Sequence, residues 1–288
     1  MTPRVAGFTA AALVGFAANS LLTRGALAAG RIDPASFLAI RLSSGAAALW
    51  ILSRSHAPSA SPDPANNWRS ALALAGYGVF FTFAYTRIGA GLGALTAFGA
   101  VQATMIASGI RAGERPSWID IAGLGVAISG LLALTVPGAT APPLKGVALM
   151  AGAGFCWGLY SLRGRLGRDP LLATAHNFMR TVPIGLAVLI LSWFAWRSAF
   201  VTPMGVLLAV ISGALTSGVG YALWYAALPH LSAWRAAVIQ LLTPVLTVAA
   251  AIVMLGESMT GRTAISGALI ISGVLLSLSK PRAAAPAK

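Results

Sequence analysis

Trp157 and Tyr160 stand three residues apart, a spacing that lets both face one side of a helix. Gly154 and Gly158 lie beside them and leave room. A ligand with a large apolar or aromatic side chain needs such a wall. Packing against lipid or a neighbouring helix would use Trp157 in another way. Tyr77, Phe81 and Tyr85 repeat at four-residue spacing, and Tyr221, Trp224 and Tyr225 form a similar group. Such stripes serve packing as well as pockets, and Tyr77 is the member of the first stripe expected to face a cavity. Asn19, Gln102, Gln240, His176 and Asn177 fall within apolar runs. Amides donate and accept, which suits a zwitterion carrying an ammonium and a carboxylate. Their other use is hydrogen bonding between helices. Pro244 lies one turn after Gln240 and denies that residue's carbonyl its helical partner. The pair predicts an ammonium site, a gate hinge, or a structural kink, and Gly158 is the second hinge candidate.

The chemistry this points to is reversible binding, not bond making. All six acids (Asp33, Asp63, Glu114, Asp120, Asp169 and Glu257) fall between apolar runs or at their ends. Proton-coupled pumps place a carboxylate inside the membrane, so tight proton coupling is not expected. Three dispersed histidines and one cysteine, Cys156, predict no metal site and no internal disulfide. A covalent mechanism would have no base other than His176. No glycine loop followed by Lys and Ser/Thr is present, so ATP drive is not expected either. The reading is therefore not an enzyme, with no cofactor.

These side chains need elements to hold them, and composition says which. Of 288 residues, 57% are hydrophobic and 9% charged. A water-facing domain carries about 25% charged residues, so the solvent must be lipid. The net charge of +14 could suggest nucleic acid, but the basic residues lie mostly in short turns, where membrane topology explains them. Ten apolar spans follow, at roughly 5–23, 35–53, 70–86, 88–110, 119–136, 146–162, 171–196, 204–228, 236–255 and 263–279. Each is near the ~20 residues that cross a bilayer as a helix. The runs do not alternate, which argues against barrel strands. Small residues at four-residue spacing, such as Gly7, Ala11 and Gly15, or Gly213 and Ser217, permit close helix packing. The N-terminal run lacks a small-residue cleavage site and reads as a retained helix. The stretch from Ser53 to Asn67 reads as a flexible loop and the tail from Pro281 as disordered.

The spans repeat. Ala112-Gly113-Glu114 recurs as Leu255-Gly256-Glu257 at an offset of 143, Arg24 and Arg41 match Arg163 and Arg180 at 139, and Tyr85 matches Tyr225 at 140. Each unit holds five spans, an odd number, so the second must enter the membrane from the opposite side. Inverted repeats are the architecture of alternating-access transporters, with the substrate near the midplane. Lys and Arg divide 12 to 6 in favour of the side bearing both termini, leaving out Arg41 and Arg180. The positive-inside rule then places both termini in the cytoplasm. The symmetric pair Arg41 and Arg180 reads as architectural, with carboxylate recognition the lesser reading.

Ten spans in two halves, each closing on a helix, a Gly-Glu turn and a glycine-containing last helix, resemble the drug/metabolite transporter superfamily, EamA type. Thr243-Pro244-Val245 before Leu255-Gly256-Glu257 looks like that family's second-half motif, whereas Val101 stands where a first-half proline would be. Within the family the chain most resembles the bacterial YddG-type exporters of aromatic and other neutral amino acids. The resemblance implies an all-α protein of ten transmembrane helices, arranged as two inverted five-helix repeats around a central cavity. Residues 1–137 and 138–280 would be the repeats and 281–288 a cytoplasmic tail. It implies export from the cytoplasm across the inner membrane of a bacterium, by a monomer whose partners are the lipid bilayer and amino-acid substrates. Export of another neutral metabolite or drug is the alternative, and a structural membrane protein the remote one. The cavity residues expected are Trp157, Tyr160, Tyr77, Phe81, Asn19, Gln102, Gln240, Asn177, Tyr221 and Trp224, with Pro244 and Gly158 as gate or hinge.

Overall fold

The computed structural model describes residues 1–54, 56, 63–88, 90–136, 143–196, 199–255 and 259–279. Gly256 and Glu257, most of the loop beyond Ser53, and the tail from Pro281 lie outside the described residues. Ten helical segments account for nearly all of the rest, and the one β-pairing among the described residues is an isolated bridge between Ile32 and Val201. The segments are α1 (Pro3–Leu27), α2 (Pro34–Ser53), α3 (Trp68–Tyr85), α4 (Ala90–Arg111), α5 (Trp118–Thr135), α6 (Leu144–Gly164) and α7 (Pro170–Trp196). The eighth, α8, joins Pro203–Ile211, a π-helical stretch Ser212–Val219 and Gly220–Ala227. The ninth, α9, has two pieces, Ala233–Gln240 and Leu242–Leu255, and α10 is Gly261–Leu278.

Local sequence sets these boundaries. Side-chain caps start most of the helices: Thr2, Asp33, Asn67, Thr202, Ser232 and Thr260 each accept a hydrogen bond from the first turn that follows. Proline occupies the first helical position of α1, α2, α7 and α8, where its missing N–H leaves nothing unpaired. Ser117 and Asp120 form a reciprocal capping box on α5. The end of α4 shows why its turn is Gly-Glu. Gly113 adopts φ 87°, a left-handed conformation that glycine takes without steric cost. That lets the Glu114 N–H return to the Gly109 carbonyl.

Eight of the segments are long and apolar enough to cross a membrane, among the described residues. The other two, α3 and α6, are the glycine- and tyrosine-bearing helices that pack on each other at the centre. The outside of the bundle is apolar: Trp118, Leu144 and Phe194 are exposed. The inside holds Asn19, Arg41, Gln102, Asn177 and Gln240, all buried. Polar residues inside and bare hydrophobic ones outside is the distribution for a lipid solvent. This is a multi-pass helical membrane protein.

The pairings are specific. Helix α5 packs on α10, α2 on α7, α3 on α6, α1 on α8, α4 on α6, α1 on α9, α2 on α8, and α3 on α7. The α5–α10 seam is held by glycines. A Cβ placed on Gly123 would lie 2.6 Å from the Gly273 carbonyl, and one on Gly130 would lie 2.8 Å from the Leu269 side chain. Such approach is the membrane route to helix association, since burial against lipid gains nothing.

Candidate functional site: a one-ended central cavity

The central cavity is built from α1, α3, α4, α6, α8 and α9. Its open volume, mouth included, is about 610 Å³. Phe16, Tyr77, Trp157 and Tyr221 form the aromatic part of the wall. Trp157 packs 5.1 Å from Phe16, 4.9 Å from Tyr77 and 4.7 Å from Tyr221, ring centre to ring centre. Phe81 and Tyr85 continue the α3 stripe, and Ala94, Ala97, Phe98 and Val101 line the α4 side.

The polar groups come from three places. Trp157 donates its indole N–H to Gln240 Oε1 at 2.6 Å, and Gln240 Nε2 donates to the Ala236 carbonyl at 2.9 Å. This amide lies at the break in α9, three residues before Thr243 and four before Pro244. The helix stops at Gln240 and resumes at Leu242, where a proline four residues on removes the i→i−4 bond. Thr243, on the cavity wall, has a buried hydroxyl with no hydrogen-bond partner. On α1, Asn19 Oδ1 accepts from Ser212 at 2.7 Å, Thr216 at 3.3 Å and Ser217 at 3.5 Å. Those three hydroxyls all come from the π-helical stretch of α8, whose wider turn presents them together. π-Turns inside helices are frequent at functional sites.

Among the described residues, the cavity continues toward one end of the bundle. It shares Ser20, Tyr85, Ala94, Phe98 and Thr243 with a wider space lined by Arg24, Thr135, Pro244, Ala251 and Arg262. These residues include the finishing turns of α1, α3 and α5 and the start of α10, so the opening faces the end opposite to where α1 begins. The other end is shut. Below Trp157, Tyr160 stacks on Tyr225 at 4.5 Å, Trp224 donates to Ser161, and Tyr225 donates to the Tyr160 carbonyl. Further out, Glu114 accepts from Arg165 and from the backbone N–H groups of Ala233 and Trp234. Asp63 accepts the Arg168 and Asp169 N–H groups at the start of α7.

Of the residues expected at the site, Trp157, Tyr77, Phe81, Asn19, Gln240 and Tyr221 line the cavity, and Pro244 lines its mouth. Four do not. Tyr160 and Trp224 are buried in the closed floor. Gln102 ties α4 to α9 through the Ala237 carbonyl, and Asn177 donates to the Ala65 carbonyl. Gly158 is a contact point, where a Cβ would lie 2.8 Å from Thr104. His176 bonds Asn66 and is outside the cavity. Phe16, Ser20, Phe98, Met150 and Thr243 line the cavity without having been picked out. Phe16 had a signal: it lies one turn before Ser20 and nearly one before Asn19, in the middle of a helix whose charges, Arg4 and Arg24, sit near its ends.

The arginine pair is not symmetric in its surroundings. Arg180 donates to Asn66 and lies near Trp68 at the closed end. Arg41 is 2% exposed, donates Nε to Ser217 at 2.9 Å and Nη2 to Tyr221 at 2.8 Å, and faces the Tyr77 and Phe81 rings at 5.6 and 5.8 Å.

A helical bundle with an apolar outside and a polar-aromatic cavity open at one end is the construction of a membrane transporter of small molecules. The comparisons with known proteins agree. Residues 144–279 match the EamA-like transporter family, and the chain belongs to that family, within the drug/metabolite transporters. It is 43% identical over 271 residues to an uncharacterized protein of Pseudomonas aeruginosa, covering 94% of this chain and 93% of that one. It is 26% identical over 226 residues to a Salmonella typhimurium protein named as a probable amino-acid metabolite efflux pump, covering 71% and 76%. It is 28% identical over 211 residues to a probable terminal-alkyne amino-acid exporter of Streptantibioticus cattleyicolor, covering 72% and 70%. A solved crystal structure superposes with a TM-score of 0.74 at 20% identity, covering 93% of this chain and 98% of that one, which shows a shared fold.

Proposed function

We propose that the protein exports aromatic and other neutral amino acids from the cytoplasm across the inner membrane of a bacterium, by alternating access and without tight proton coupling. The observation that carries this reading is the cavity itself. It is an aromatic chamber closed at one end by stacked rings, with amides and hydroxyls in its wall and no carboxylate among the described residues that line it. Two relatives whose names specify amino-acid export favour that substrate class. With both termini cytoplasmic, the open end faces outward and the rings of Tyr160, Trp224 and Tyr225 form the inner closure.

The reading of residues 1–137 and 138–280 as inverted repeats is supported by the pairings. Exchanging each helix for its counterpart five places on turns α3–α6 into α8–α1, α4–α6 into α9–α1, and α2–α8 into α7–α3, all of which occur. The cavity helices also form a set closed under that exchange. A structure built from two equivalent halves has an equivalent closure available at the opposite end, which is what alternating access requires. The break at Pro244 and the π-helical stretch of α8 are the bending points. A monomer contains the whole cavity.

The test is uptake into liposomes of purified protein, with labelled phenylalanine, tryptophan, leucine and alanine, with and without a pH gradient. Trp157→Ala runs alongside. Uptake without a gradient, lost in the variant, supports the reading. Uptake only with a gradient overturns the coupling statement. Absence of amino-acid uptake by folded protein overturns the substrate class.

A further inference from the structure

Arg41 is a permanent cation held inside the bundle with no acid against it. Among the described residues two ion pairs occur, His56–Asp169 and Arg165–Glu114, and neither involves Arg41. Its surroundings supply dipoles and ring faces instead: Ser217 on Nε, Tyr221 on Nη2, Tyr77 and Phe81 alongside. Nη1 is buried and has no hydrogen-bond partner among the described residues, while the Tyr77 hydroxyl also interacts with the guanidinium. A buried guanidinium is expensive unless paired, and an intramembrane one marks a pathway more often than a strut. Its counterpart Arg180 meets the architectural need differently, by reaching Asn66 at the closed end. The fold therefore does not require a bare cation at this position.

The groups around Arg41 open onto the cavity. Tyr77, Phe81 and Tyr221 all line it. Because the Tyr221 oxygen accepts from Arg41, the tyrosine's own proton is directed to another acceptor, for which a solute carboxylate competes with the neighbouring Tyr77 hydroxyl. A hydroxyl polarised by a guanidinium is a strong donor to an anion. Asn19 is placed alike: its Oδ1 is taken by α8 hydroxyls, which leaves its amide N–H groups without a partner among the described residues. The cavity thus presents donors on the α1–α8 side, with the buried Arg41 charge behind Tyr221, while the Gln240 carbonyl that Pro244 leaves without its helical donor lies on the α9 side.

We propose that Tyr221, Asn19 and Arg41 form a carboxylate subsite, in which the transported solute's carboxylate accepts from Tyr221 and Asn19 and supplies the counter-ion that Arg41 lacks. The subsite deepens the amino-acid reading and rests on the same cavity. Arg41 acts through Tyr221 and the local field, so it is a positioning residue and needs a readout specific to the carboxylate.

That readout is competition binding to the purified full chain by phenylalanine, phenylalanine methyl ester and phenylacetate. The wild type is expected to bind phenylalanine at least tenfold more tightly than its ester. In Arg41→Gln the acid-to-ester ratio should fall to about one, with ester binding kept. Tyr221→Phe is nearly isosteric and should lower the same ratio severalfold, which decides the matter if Arg41→Gln does not fold. Arg180→Gln, at the closed end, should leave the ratio unchanged. An unchanged ratio in Tyr221→Phe and in folded Arg41→Gln overturns the subsite. Phenylacetate bound without phenylalanine would retain the subsite and overturn the amino-acid reading, and a wild type that binds the ester as well as the acid would overturn the subsite alone.

Discussion

Glu114 Oε1 lies 2.9 Å from Arg165 Nη2, so a carboxylate that follows α4 holds the guanidinium that follows α6. The same carboxylate receives the Ala233 and Trp234 N–H groups at 2.8 and 3.0 Å, and Arg165 Nε donates to the Leu231 carbonyl at 3.0 Å. Three helices meet at one side chain, at the end where the cavity is shut. Negative charge at the start of α9 is further favoured by the helix dipole.

Glu114→Gln should therefore loosen that end. Hydrogen bonds to charged groups are worth about 1.5–3 kcal/mol, and every 1.4 kcal/mol is about tenfold in population. The expected result is a rise of roughly tenfold in maleimide labelling of Val101→Cys from the closed-end face, in a Cys156→Ser background. Unchanged labelling would show that Glu114 does not hold this closure.

The bond between Trp157 and Gln240 should appear as coupling. Gln240→Leu strands a buried indole N–H, which costs about 1–3 kcal/mol. Replacing both, as Trp157→Phe with Gln240→Leu, should recover part of that loss, with a coupling energy of about 0.5–3 kcal/mol. Denaturation of the four proteins in detergent measures it. Additive losses would mean the 2.6 Å contact carries no energy.

Gly213 and Gly7 make a matched pair. A Cβ on Gly213 would run into the Arg41 carbonyl and the Ser44 hydroxyl, whereas one on Gly7 meets nothing within 4 Å. Gly213→Ala should destabilise by about 1–3 kcal/mol through overpacking. Gly7→Ala should be neutral or stabilising by up to ~1 kcal/mol, because alanine is the better helix former. Thermal unfolding in detergent separates the two.

Pro244→Ala should raise stability and slow transport. The substitution restores an N–H to the Gln240 carbonyl and relieves a mid-helix proline cost of up to ~3 kcal/mol. A higher Tm with uptake reduced about tenfold or more is the outcome expected if the break is a hinge. A higher Tm with full uptake would make it a kink only.

Much of this was legible in the sequence. Lipid-length runs gave ten helices, and capping residues with proline fixed their starts. The break in α9 followed from Pro244, and the left-handed turn at Gly113 from its glycine. What failed was depth. Three-residue spacing put Tyr160 on the same side as Trp157, but three residues are also ~4.5 Å along the axis. That distance carries Tyr160 past the cavity and into the floor, where it stacks on Tyr225. Periodicity likewise made Arg41 and Arg180 equivalents, because a repeat records ancestry of position, not present neighbours. The π-helical stretch of α8 had no sequence signature beyond its small residues. It arises where Gly213 lets the chain press on α2 and where Ser212, Thr216 and Ser217 find Asn19 across the gap.

The glycine seam between α5 and α10 bears on how such a protein can change. Among the described residues that line the chamber, none comes from either helix. The struts and the lining are separate sets of side chains, and substitutions at well-separated sites act nearly independently. Exchanging Ala97, Phe98 or Val101 would reshape the chamber wall while leaving Gly123, Gly130 and Gly273 in contact. Cargo and chassis can thus drift apart over descent, so a lineage can acquire a new solute without having to solve its assembly again.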